Sequence, residues 1–428
     1  MDQIVIQGGT SLRGDVRISG AKNAALPILA STILGGGDCV LSNVPGVVDV
    51  ATMAKLLAVL GVTVQAEAGR VIVNADTLNS TEAPYDLVRT MRASVVVLGP
   101  LLARWGEATV SLPGGCAIGT RPVDLHLAGL KQLGAEVAIE HGYVKARATR
   151  LKGARIALDI PTVTGTENLM MAACLAEGTT VIENAAREPE IVDLAAFLVK
   201  RGAKISGAGS DCVSIDGVAR LQGADHEVIP DRIEAGTYLA AGAITQGELC
   251  IEACIPRHLE AVVMKLREMG AEIAEGKEHI NVKASRRLKG TAVKTYPYPG
   301  FPTDMQAQIM AVACASEGTT SLTETVFESR FIHVPELRRM GANILVEGNQ
   351  AVVHGVERLT GAPVMASDLR ASAGLVLAGL AAEGETVISR VYHLDRGYEQ
   401  METKLEALGA RITRVREGCN ASARETGL

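Results

Sequence analysis

LMMAACLAEGTTVI, residues 169–182, joins a helix-like apolar run to a short strand-like run through a glycine. Related stretches with the same order of features occupy residues 26–41, 95–112, 238–251, 309–322 and 375–388. Their turn glycines are Gly36, Gly106, Gly178, Gly247, Gly318 and Gly384, at spacings of 70, 72, 69, 71 and 66 residues. Such regular spacing predicts six structural repeats of one α/β unit.

Every repeat contains a second helix–glycine–strand element after the first. The glycines of this second element are Gly61, Gly134, Gly202, Gly270, Gly341 and Gly409. In most repeats a hairpin-like pair of strands follows, as in residues 137–148 and 344–353. The first helices are apolar nearly all round, whereas the second helices carry a polar face. We therefore expect buried inner helices with sheets outside them, in two groups of three repeats.

The two ends of the chain are predicted to belong to one domain. The strand-like residues 3–7 precede the first repeat, and the last repeat ends near Val415 without a complete hairpin, so the opening strands could supply what it lacks. We predict one three-repeat domain at residues 22–229 and a second at residues 1–21 and 230–416. Residues 417–428 are expected to be a disordered tail. Two connections between the domains predict a hinge.

Composition excludes several classes of protein. A net charge of −6 and 3% aromatic residues argue against a nucleic-acid partner, which usually requires a basic face and stacking rings. No apolar run approaches the roughly 18 residues of a membrane span, and the first residues lack a signal-peptide pattern, so we expect a cytoplasmic protein. The eight cysteines form no CxxC pair and have no interleaved histidines, which predicts mostly buried thiols rather than zinc ligands or disulfides.

Charged residues recur in register with the repeat. Counting back 14 residues from each first-turn glycine reaches the expected starts of the inner helices, at Lys22, Arg92, Thr164, Ile233, Asp304 and Arg370. A second column precedes the outer helices, at Arg121, Arg187, Arg257, Arg330 and Arg396. Any one of these cations is ordinarily a solvated surface charge. Cations at helix N-termini do not stabilise the helix, so the two columns together predict an anionic ligand between the two groups of repeats.

The second repeat contains an insertion rich in glycine. Its two turn glycines are 28 residues apart, against 23 to 25 in the other repeats, and the extra residues coincide with LPGGCAIGTRPVD, residues 112–124. Cys116 lies in this loop ahead of Arg121 and of a helix expected to begin at Val123, with Pro122 in its first turn. A lone cysteine is most often a small buried hydrophobe. An arginine and a helix N-terminus both favour the thiolate, however, and an insertion in an even repeat favours a functional loop.

Several motifs resemble one known family. They are SGAKNAALP at residues 19–27, MRAS at 91–94, residues 112–126, GFPTD at 300–304, DLR at 368–370 and HLDRGY at 393–398. In this order they are similar to the UDP-N-acetylglucosamine 1-carboxyvinyltransferases, a family of enolpyruvyl transferases, and the resemblance covers residues 1–416. It implies an inside-out α/β barrel of six repeats in two domains. It also implies transfer of the enolpyruvyl group of phosphoenolpyruvate to the 3-hydroxyl of UDP-N-acetylglucosamine, with release of phosphate, as the first committed step of bacterial peptidoglycan synthesis.

The resemblance also assigns roles to individual residues. It implies that Cys116 is a general acid that forms a covalent adduct and that Asp304 is the base, with further catalytic roles for Lys22, Asp368 and Arg396. The implied phosphoenolpyruvate ligands are Lys22, Asn23, Arg121, Arg330, Arg370 and Arg396. The implied nucleotide-sugar ligands are Asn23, Arg92, Arg121, Pro122, Val123, Asp124, Leu125, Thr162, Val163, Thr164, Gly165, Asp304 and Val326. The chemistry calls for no metal, no redox cofactor and no obligate protein partner.

Two alternative functions remain open at this point. The first is an enolpyruvyl transferase that acts on shikimate 3-phosphate, which shares the fold and one substrate but lacks the cysteine loop. Activity with shikimate 3-phosphate alone would favour it. The second is a non-catalytic repeat protein that binds nucleotides through the same cations. Release of phosphate from the two mixed substrates would exclude it.

Fosfomycin is expected to alkylate Cys116 and none of the other seven cysteines, because only Cys116 combines a glycine-rich loop with a cationic neighbourhood. The resemblance implies this inhibitor. Intact mass followed by peptide mapping measures the outcome. Modification of another cysteine, or modification that persists in Cys116→Ser, would count against the prediction.

Binding of the nucleotide sugar is expected to close the predicted hinge. Lys22, Arg92 and Arg121 lie in the first group of repeats, whereas Asp304 and Arg330 lie in the second, together with Arg370 and Arg396. Cations of the two groups repel each other when no ligand is bound. The negative charge of the substrates offsets this repulsion, so the substrates favour the closed form. We expect a smaller radius of gyration with the nucleotide sugar and slower hydrogen exchange in residues 112–121. If neither changes, the site is preformed.

Overall fold

The computed structural model describes residues 2–112 and 123–416, which divide into two compact units. Unit 1 comprises residues 2–18 and 231–416, and unit 2 comprises residues 19–112 and 123–230. Each unit has its own continuous apolar core and three four-stranded sheets. The six repeats predicted from the glycine spacing are therefore confirmed. The predicted tail at residues 417–428 lies outside the described residues.

All six sheets share one pairing pattern, in which an edge strand runs parallel to its neighbour and the other pairs are antiparallel. The first sheet of unit 2 has the strand order β14 (Asp225–Glu227), β3 (Asp38–Ser42), β5 (Arg70–Asn74) and β4 (Thr63–Glu67). The second has the order β6 (Glu82–Ala83), β7 (Glu107–Ser111), β9 (Tyr143–Arg147) and β8 (Glu136–Glu140). The third has the order β10 (Arg155–Ala157), β11 (Thr179–Glu183), β13 (Cys212–Asp216) and β12 (Lys204–Ser206).

Unit 1 repeats this arrangement with strands from both ends of the chain. Its first sheet has the strand order β2 (Arg13–Arg17), β15 (Glu248–Glu252), β17 (His279–Lys283) and β16 (Glu272–Glu275). Its second has the order β18 (Ala292–Lys294), β19 (Thr319–Thr323), β21 (Gln350–His354) and β20 (Asn343–Glu347). Its third has the order β22 (Pro363–Met365), β23 (Glu385–Ser389), β1 (Asp2–Gln7) and β24 (Arg411–Arg416). Strand β1 pairs with both β23 and β24, so the opening strand supplies the strand that the last repeat lacks.

The inner helices are buried on nearly every side, as their composition predicts. They are α1 (Lys22–Ser31), α4 (Leu98–Trp105), α6 (Val163–Ala173), α8 (Arg232–Ile244), α10 (Gln306–Cys314) and α12 (Leu369–Ala381). In α8 every residue after Arg232 is buried. Most of these residues are small or apolar, and the two glycines of the helix let neighbouring elements approach. Short 3₁₀ turns at Arg92–Val97 and Thr303–Met305 lead into α4 and α10.

The outer helices bury one stripe and expose the other face. They are α2 (Val48–Val59), α5 (Asp124–Gln132), α7 (Pro189–Lys200), α9 (Glu260–Glu268), α11 (Val334–Arg339) and α13 (Met401–Ala407). A short α3 (Tyr85–Val88) and 3₁₀ turns at Thr32–Leu34, Pro256–Leu259 and Val391–Arg396 complete the elements. Across the described ranges, every helix is too short or too polar to span a membrane.

Two strands exchange places between the repeats that begin with α1 and α8. In the other four repeats, the parallel edge strand directly precedes its inner helix. Here β2 precedes α1 in sequence but pairs with β15, which follows α8, whereas β14 precedes α8 but pairs with β3, which follows α1. The chain of unit 2 is thus inserted into one repeat of unit 1, and each unit closes its sheets with a strand from a distant part of the sequence.

The turn glycines differ in what they provide. All six glycines of the second turns have positive φ values, as at Gly202 (106°) and Gly270 (104°), a region that side-chain-bearing residues seldom adopt. In four of the six first turns the glycine itself has a positive φ, whereas at Gly36 and Gly247 the left-handed residue is the neighbouring Gly37 or Gln246. A Cβ atom on Gly247 would lie 2.2 Å from the carbonyl oxygen of Leu12, so this position requires glycine for close approach of the backbone.

Candidate active site

In unit 1 a carboxylate lies between two buried arginines. Asp304 belongs to the 3₁₀ turn before α10, Arg330 follows β19, and Arg370 is the second residue of α12. Arg330 Nη2 donates to Asp304 Oδ1 at 3.0 Å, and Arg370 Nε donates to Asp304 Oδ2 at 3.1 Å. The arginine side chains are 4% exposed and the aspartate 26%, so the group opens to solvent on the aspartate side. Two consecutive repeats therefore form the cluster, with Asp304 and Arg330 from the fifth and Arg370 from the sixth.

The two guanidinium groups retain unused donors. Among the described residues, Nη1 of Arg330 and both terminal nitrogens of Arg370 have no acceptor in hydrogen-bonding geometry. The guanidinium of Arg370 lies 5.4 Å from the ring centre of Tyr398, and that of Arg330 lies 5.2 Å from the ring of Phe327. Burial lowers the pKa of Arg370, but Asp304, Tyr398 and Asp231 together raise it by more, so the pKa lies above its ordinary value and the group stays charged. Buried cationic donors without acceptors are unfavourable, which marks this cluster as a site for an anion.

Three other predicted residues of unit 1 lie near these elements in the sequence. Asp368 caps α12, because its Oδ1 accepts from the backbone N–H groups of Arg370 and Ala371 at 2.9 and 3.0 Å. These contacts explain Asp368 as a helix cap that fixes the backbone beside Arg370, and its catalytic role stays a prediction. Arg396 ends the 3₁₀ helix Val391–Arg396 and is half-buried, and Val326 is exposed after β19.

In unit 2 the first repeat forms an ion pair at its inner helix. Lys22 opens α1, and its Nζ lies 3.2 Å from Oδ2 of Asp49, in the first turn of α2. The lysine side chain is 12% exposed and the aspartate 3%. The neighbouring Asn23 is half-buried, as is Arg92 at the start of its 3₁₀ turn. Sequence reasoning missed Asp49, although an aspartate in the first turn of an otherwise apolar helix was a visible signal.

The third repeat places a hydrogen-bonded network behind the start of α6. Thr162 accepts from the backbone N–H of Gly165 at 3.3 Å, and Val163 begins the helix. Thr164 Oγ1 is 3.3 Å from Nε2 of His126, whose Nδ1 is 3.1 Å from the amide nitrogen of Asn168. The amide oxygen of Asn168 accepts from the backbone of Gly99, so its nitrogen is the donor to His126.

This network assigns the tautomer of His126. Burial lowers the pKa of His126 to about 4, so the ring is neutral near pH 7. Because Nδ1 accepts from Asn168, Nε2 carries the proton and donates to Thr164. The hydroxyl proton of Thr164 is therefore directed away from His126 and is available to a ligand at the N-terminus of α6. Sequence reasoning did not single out His126, because its partners lie in other repeats.

The predicted start of α5 is wrong by one residue. Val123 is the residue before the helix, and α5 begins at Asp124, followed by Leu125. Asp124 is exposed, whereas Val123 and Leu125 are half-buried. Cys116, Arg121 and Pro122 lie outside the described residues.

The described cysteines are mostly buried, as predicted. Cys39, Cys174, Cys254 and Cys314 are buried, Cys250 is half-buried, and Cys212 in β13 is exposed. Burial raises the pKa of Cys174 and Cys314 to about 12 and that of Cys254 to about 11, so these thiols are poor nucleophiles. Cys212 is the described thiol most open to competing alkylation.

A cavity of about 1230 Å³ in unit 2 lies away from these residues. Residues at the C-terminal ends of α1 and α4, such as Leu34 and Trp105, line this cavity. The predicted site residues of unit 2 instead lie near the N-terminal ends of helices. Arg104 donates to the carbonyl oxygens of Ile33 and Gly35 there, so this arginine caps helix carbonyls. The cavity therefore lacks the helix N-termini that would favour a phosphate ligand.

Comparison with known proteins identifies the family. Residues 6–405 match the family described as EPSP synthase (3-phosphoshikimate 1-carboxyvinyltransferase). The chain belongs to this family. It is an enolpyruvyl transferase, which transfers the enolpyruvyl group of phosphoenolpyruvate to an acceptor. The alternative of a non-catalytic repeat protein is therefore set aside.

Solved structures of similar proteins share the fold. The enolpyruvyl transferase NikO from Streptomyces tendae is 26% identical, with a TM-score of 0.88 over 97% of this chain and 99% of that protein. EPSP synthase from Acinetobacter baumannii is 18% identical, with a TM-score of 0.76 over 97% of this chain and 100% of that protein. The inside-out α/β barrel of six repeats, the enolpyruvyl transferase fold, is thereby confirmed.

Acidification is expected to destabilise the wild type more than a His126→Gln variant. The native pKa of about 4 lies below the ordinary value of 6.5, so the unfolded chain binds more protons between these limits. The stability contributed by neutral His126 is complete above pH 6.5 and falls by about 3 kcal/mol as the pH falls through 4. Calorimetric melting temperatures of both proteins at pH 7.5 and 4.5 measure this effect. If the difference in melting temperature between the wild type and His126→Gln does not become smaller at pH 4.5, the neutral state of His126 is contradicted.

Proposed function

We propose that the enzyme transfers the enolpyruvyl group to the 3-hydroxyl of UDP-N-acetylglucosamine, the first committed step of bacterial peptidoglycan synthesis. The observation that carries the chemistry is the carboxylate of Asp304 held by two buried arginines that still have unused donors. The feature that supports this acceptor is the inserted loop of residues 112–124, whose cysteine and following residues resemble those of the nucleotide-sugar enzymes.

Phosphoenolpyruvate fits the donors of unit 1. The substrate carries a phosphate and a carboxylate, and each can accept paired hydrogen bonds from a guanidinium group. In the proposal, Arg330 and Arg370 bind these anions through the nitrogens that lack acceptors, and Arg396 adds a third cation. Lys22, Asn23 and Arg121 complete the set of phosphoenolpyruvate ligands.

Substrate binding would also activate the base. While both arginines donate to Asp304, its oxygens are engaged in these hydrogen bonds. When phosphoenolpyruvate accepts from the same guanidinium groups, these hydrogen bonds weaken and a lone pair of the carboxylate becomes available. Asp304 can then accept the proton of the acceptor hydroxyl, so deprotonation follows the binding of the donor substrate.

The proposed reaction is an addition followed by an elimination. Cys116 gives a proton to the methylene carbon of phosphoenolpyruvate, while the sugar oxygen forms a bond to the central carbon and loses its proton to Asp304. In the second step the methyl group returns a proton to the thiolate of Cys116, the double bond re-forms, and the bond to the phosphate oxygen breaks to release phosphate. The neighbouring cations, Lys22 and Arg396 among them, stabilise the charge on the tetrahedral intermediate.

The nucleotide sugar would use donors of unit 2. The N-terminus of α6 presents free backbone N–H groups, and the hydroxyl proton of Thr164 is directed away from His126. We assign the diphosphate to this end of α6 and to Arg92 and Arg121. The remaining proposed ligands of the nucleotide sugar are Asn23, Pro122, Val123, Asp124, Leu125, Thr162, Val163, Gly165, Asp304 and Val326.

Shikimate 3-phosphate is the second candidate acceptor, because the family takes its description from that reaction. The chain is nevertheless more similar to the enolpyruvyl transferase NikO than to the EPSP synthase, both in identity and in TM-score. This difference favours an acceptor other than shikimate 3-phosphate. Release of phosphate from phosphoenolpyruvate, measured with each acceptor separately, decides between them.

Asp304→Asn is expected to abolish turnover with UDP-N-acetylglucosamine while nucleotide-sugar binding stays within about tenfold of wild type. The amide keeps the shape of the side chain but cannot accept the hydroxyl proton. Phosphate release and calorimetric titration measure the two effects. Asp15→Asn, at an exposed position of β2, is the matched control and should leave both unchanged. Near-normal turnover of Asp304→Asn would show that another group is the base.

A further inference from the structure

The 3₁₀ helix that carries Arg396 is poorly stabilised by its own backbone. It spans Val391–Arg396, and helices of this type have less favourable hydrogen-bond geometry than α-helices. The residue before it, Arg390, has a φ of 58°, and Gln400, before α13, has a φ of 47°. Left-handed backbone is unfavourable at residues that carry a side chain. Contacts from other elements must therefore hold this segment in place.

One arginine supplies such contacts. Arg414, on β24, donates from Nη1 and Nη2 to the two oxygens of Asp395 at 3.0 and 2.5 Å. Its Nε donates to Glu402 on α13 at 2.7 Å, and its Nη1 lies 3.6 Å from Asp2 on β1. The hydrogen bonds that Arg414 donates to Asp395 and Glu402 outweigh burial and raise the pKa of Arg414. A single guanidinium thus joins the last strand, the first strand, α13 and the 3₁₀ helix.

The paired contact with Asp395 bears directly on Arg396. A 3₁₀ helix has three residues per turn, so consecutive side chains point about 120° apart. Fixing the side chain of Asp395 with two parallel hydrogen bonds therefore fixes the rotation of the helix and the direction in which Arg396 leaves it. Lysine keeps the charge of Arg414 but cannot form this paired contact.

A second anchor holds the chain just beyond Arg396. The hydroxyl of Tyr398 lies 2.9 Å from Oγ1 of Thr237 and accepts from Nε2 of Gln308 at 3.1 Å. Tyr398 is buried, and its ring also faces Arg370. Arg396 therefore lies between two anchored residues, Asp395 and Tyr398. Asp395 is held by hydrogen bonds from the charged side chain of Arg414.

We propose that Arg414 is a positioning residue, which acts through Asp395 to orient Arg396 toward phosphoenolpyruvate. The inference rests on the proposed role of Arg396 in binding that substrate. It makes the last strand of the chain part of the catalytic arrangement, although Arg414 itself touches no substrate in the proposal.

The first test is kinetic. Arg414→Lys is expected to lower kcat/KM for phosphoenolpyruvate about tenfold, equivalent to about 1.4 kcal/mol, while KM for the acceptor changes less than twofold. Asp395→Asn should reproduce this pattern. Arg411→Lys is the matched control, because Arg411 lies on the same strand and donates to the backbone of Gly8. It should behave as the wild type.

The second test asks whether Arg414 acts through Arg396. In an Arg396→Lys background, adding Arg414→Lys should reduce kcat/KM for phosphoenolpyruvate less than twofold further, because the group that it positions is already altered. A merely structural role predicts the same tenfold loss in both backgrounds and equal effects on the two substrates. Either of these results would overturn the proposal.

The two proposals fail in distinguishable ways. If the wild type releases phosphate with shikimate 3-phosphate and not with UDP-N-acetylglucosamine, the proposed acceptor is wrong. The effect of Arg414→Lys in the wild-type and Arg396→Lys backgrounds is then measured with shikimate 3-phosphate as the acceptor. This remains a valid test, because the inference concerns the binding of phosphoenolpyruvate and not of the acceptor. If the wild type is active and the effects of the two substitutions are additive, only the positioning role is wrong.

Discussion

Burial of whole helices is the constraint on which both units depend. Each inner helix is surrounded by apolar neighbours, so its last carbonyls and first N–H groups must find partners inside the protein. At the C-terminal ends of α1 and α10 these partners include arginines: the nearly inaccessible Arg201 donates to the carbonyls of Ser31 and Thr32, and Arg287 donates to those of Ala315 and Ser316. At the N-terminal ends Asp231, Asp368 and Thr162 cap α8, α12 and α6. The fold thus separates a structural end of each helix from an end where ligands can be bound.

The two units use these N-terminal ends differently. In unit 2, Lys22 pairs with the buried Asp49, and the α6 end is built from neutral donors around His126. In unit 1, two buried arginines converge on Asp304 and keep donors without acceptors. A small substrate with two anionic groups suits the second arrangement, whereas a long, partly neutral substrate can use the dispersed donors of the first. This difference supports the proposed binding of phosphoenolpyruvate anions by Arg330 and Arg370.

The fold tolerates wide variation in sequence and does not by itself select the acceptor. EPSP synthase from Acinetobacter baumannii retains the architecture at 18% identity, because apolar inner helices and hairpin sheets can be built from many residues. Selection of the acceptor must reside in loops and helix starts, where single side chains meet the substrate. In the proposed function, the candidate positions are the inserted loop at residues 112–124 and the turn at residues 162–165.

The sequence by itself determined the six repeats, the buried inner helices and the charged positions at their starts, because these features depend on the local order of apolar residues and glycines. It also indicated that the first strand completes the last repeat. Only the tertiary structure decided the exchange of β2 and β14, the placement of Asp304 between Arg330 and Arg370, and the neutral tautomer of His126. It also decided that Gly37 and Gln246, rather than Gly36 and Gly247, take the left-handed turns. Periodicity reports neighbours along the chain, whereas these features arise from contacts between residues tens to hundreds of positions apart, whose packing a local pattern does not encode.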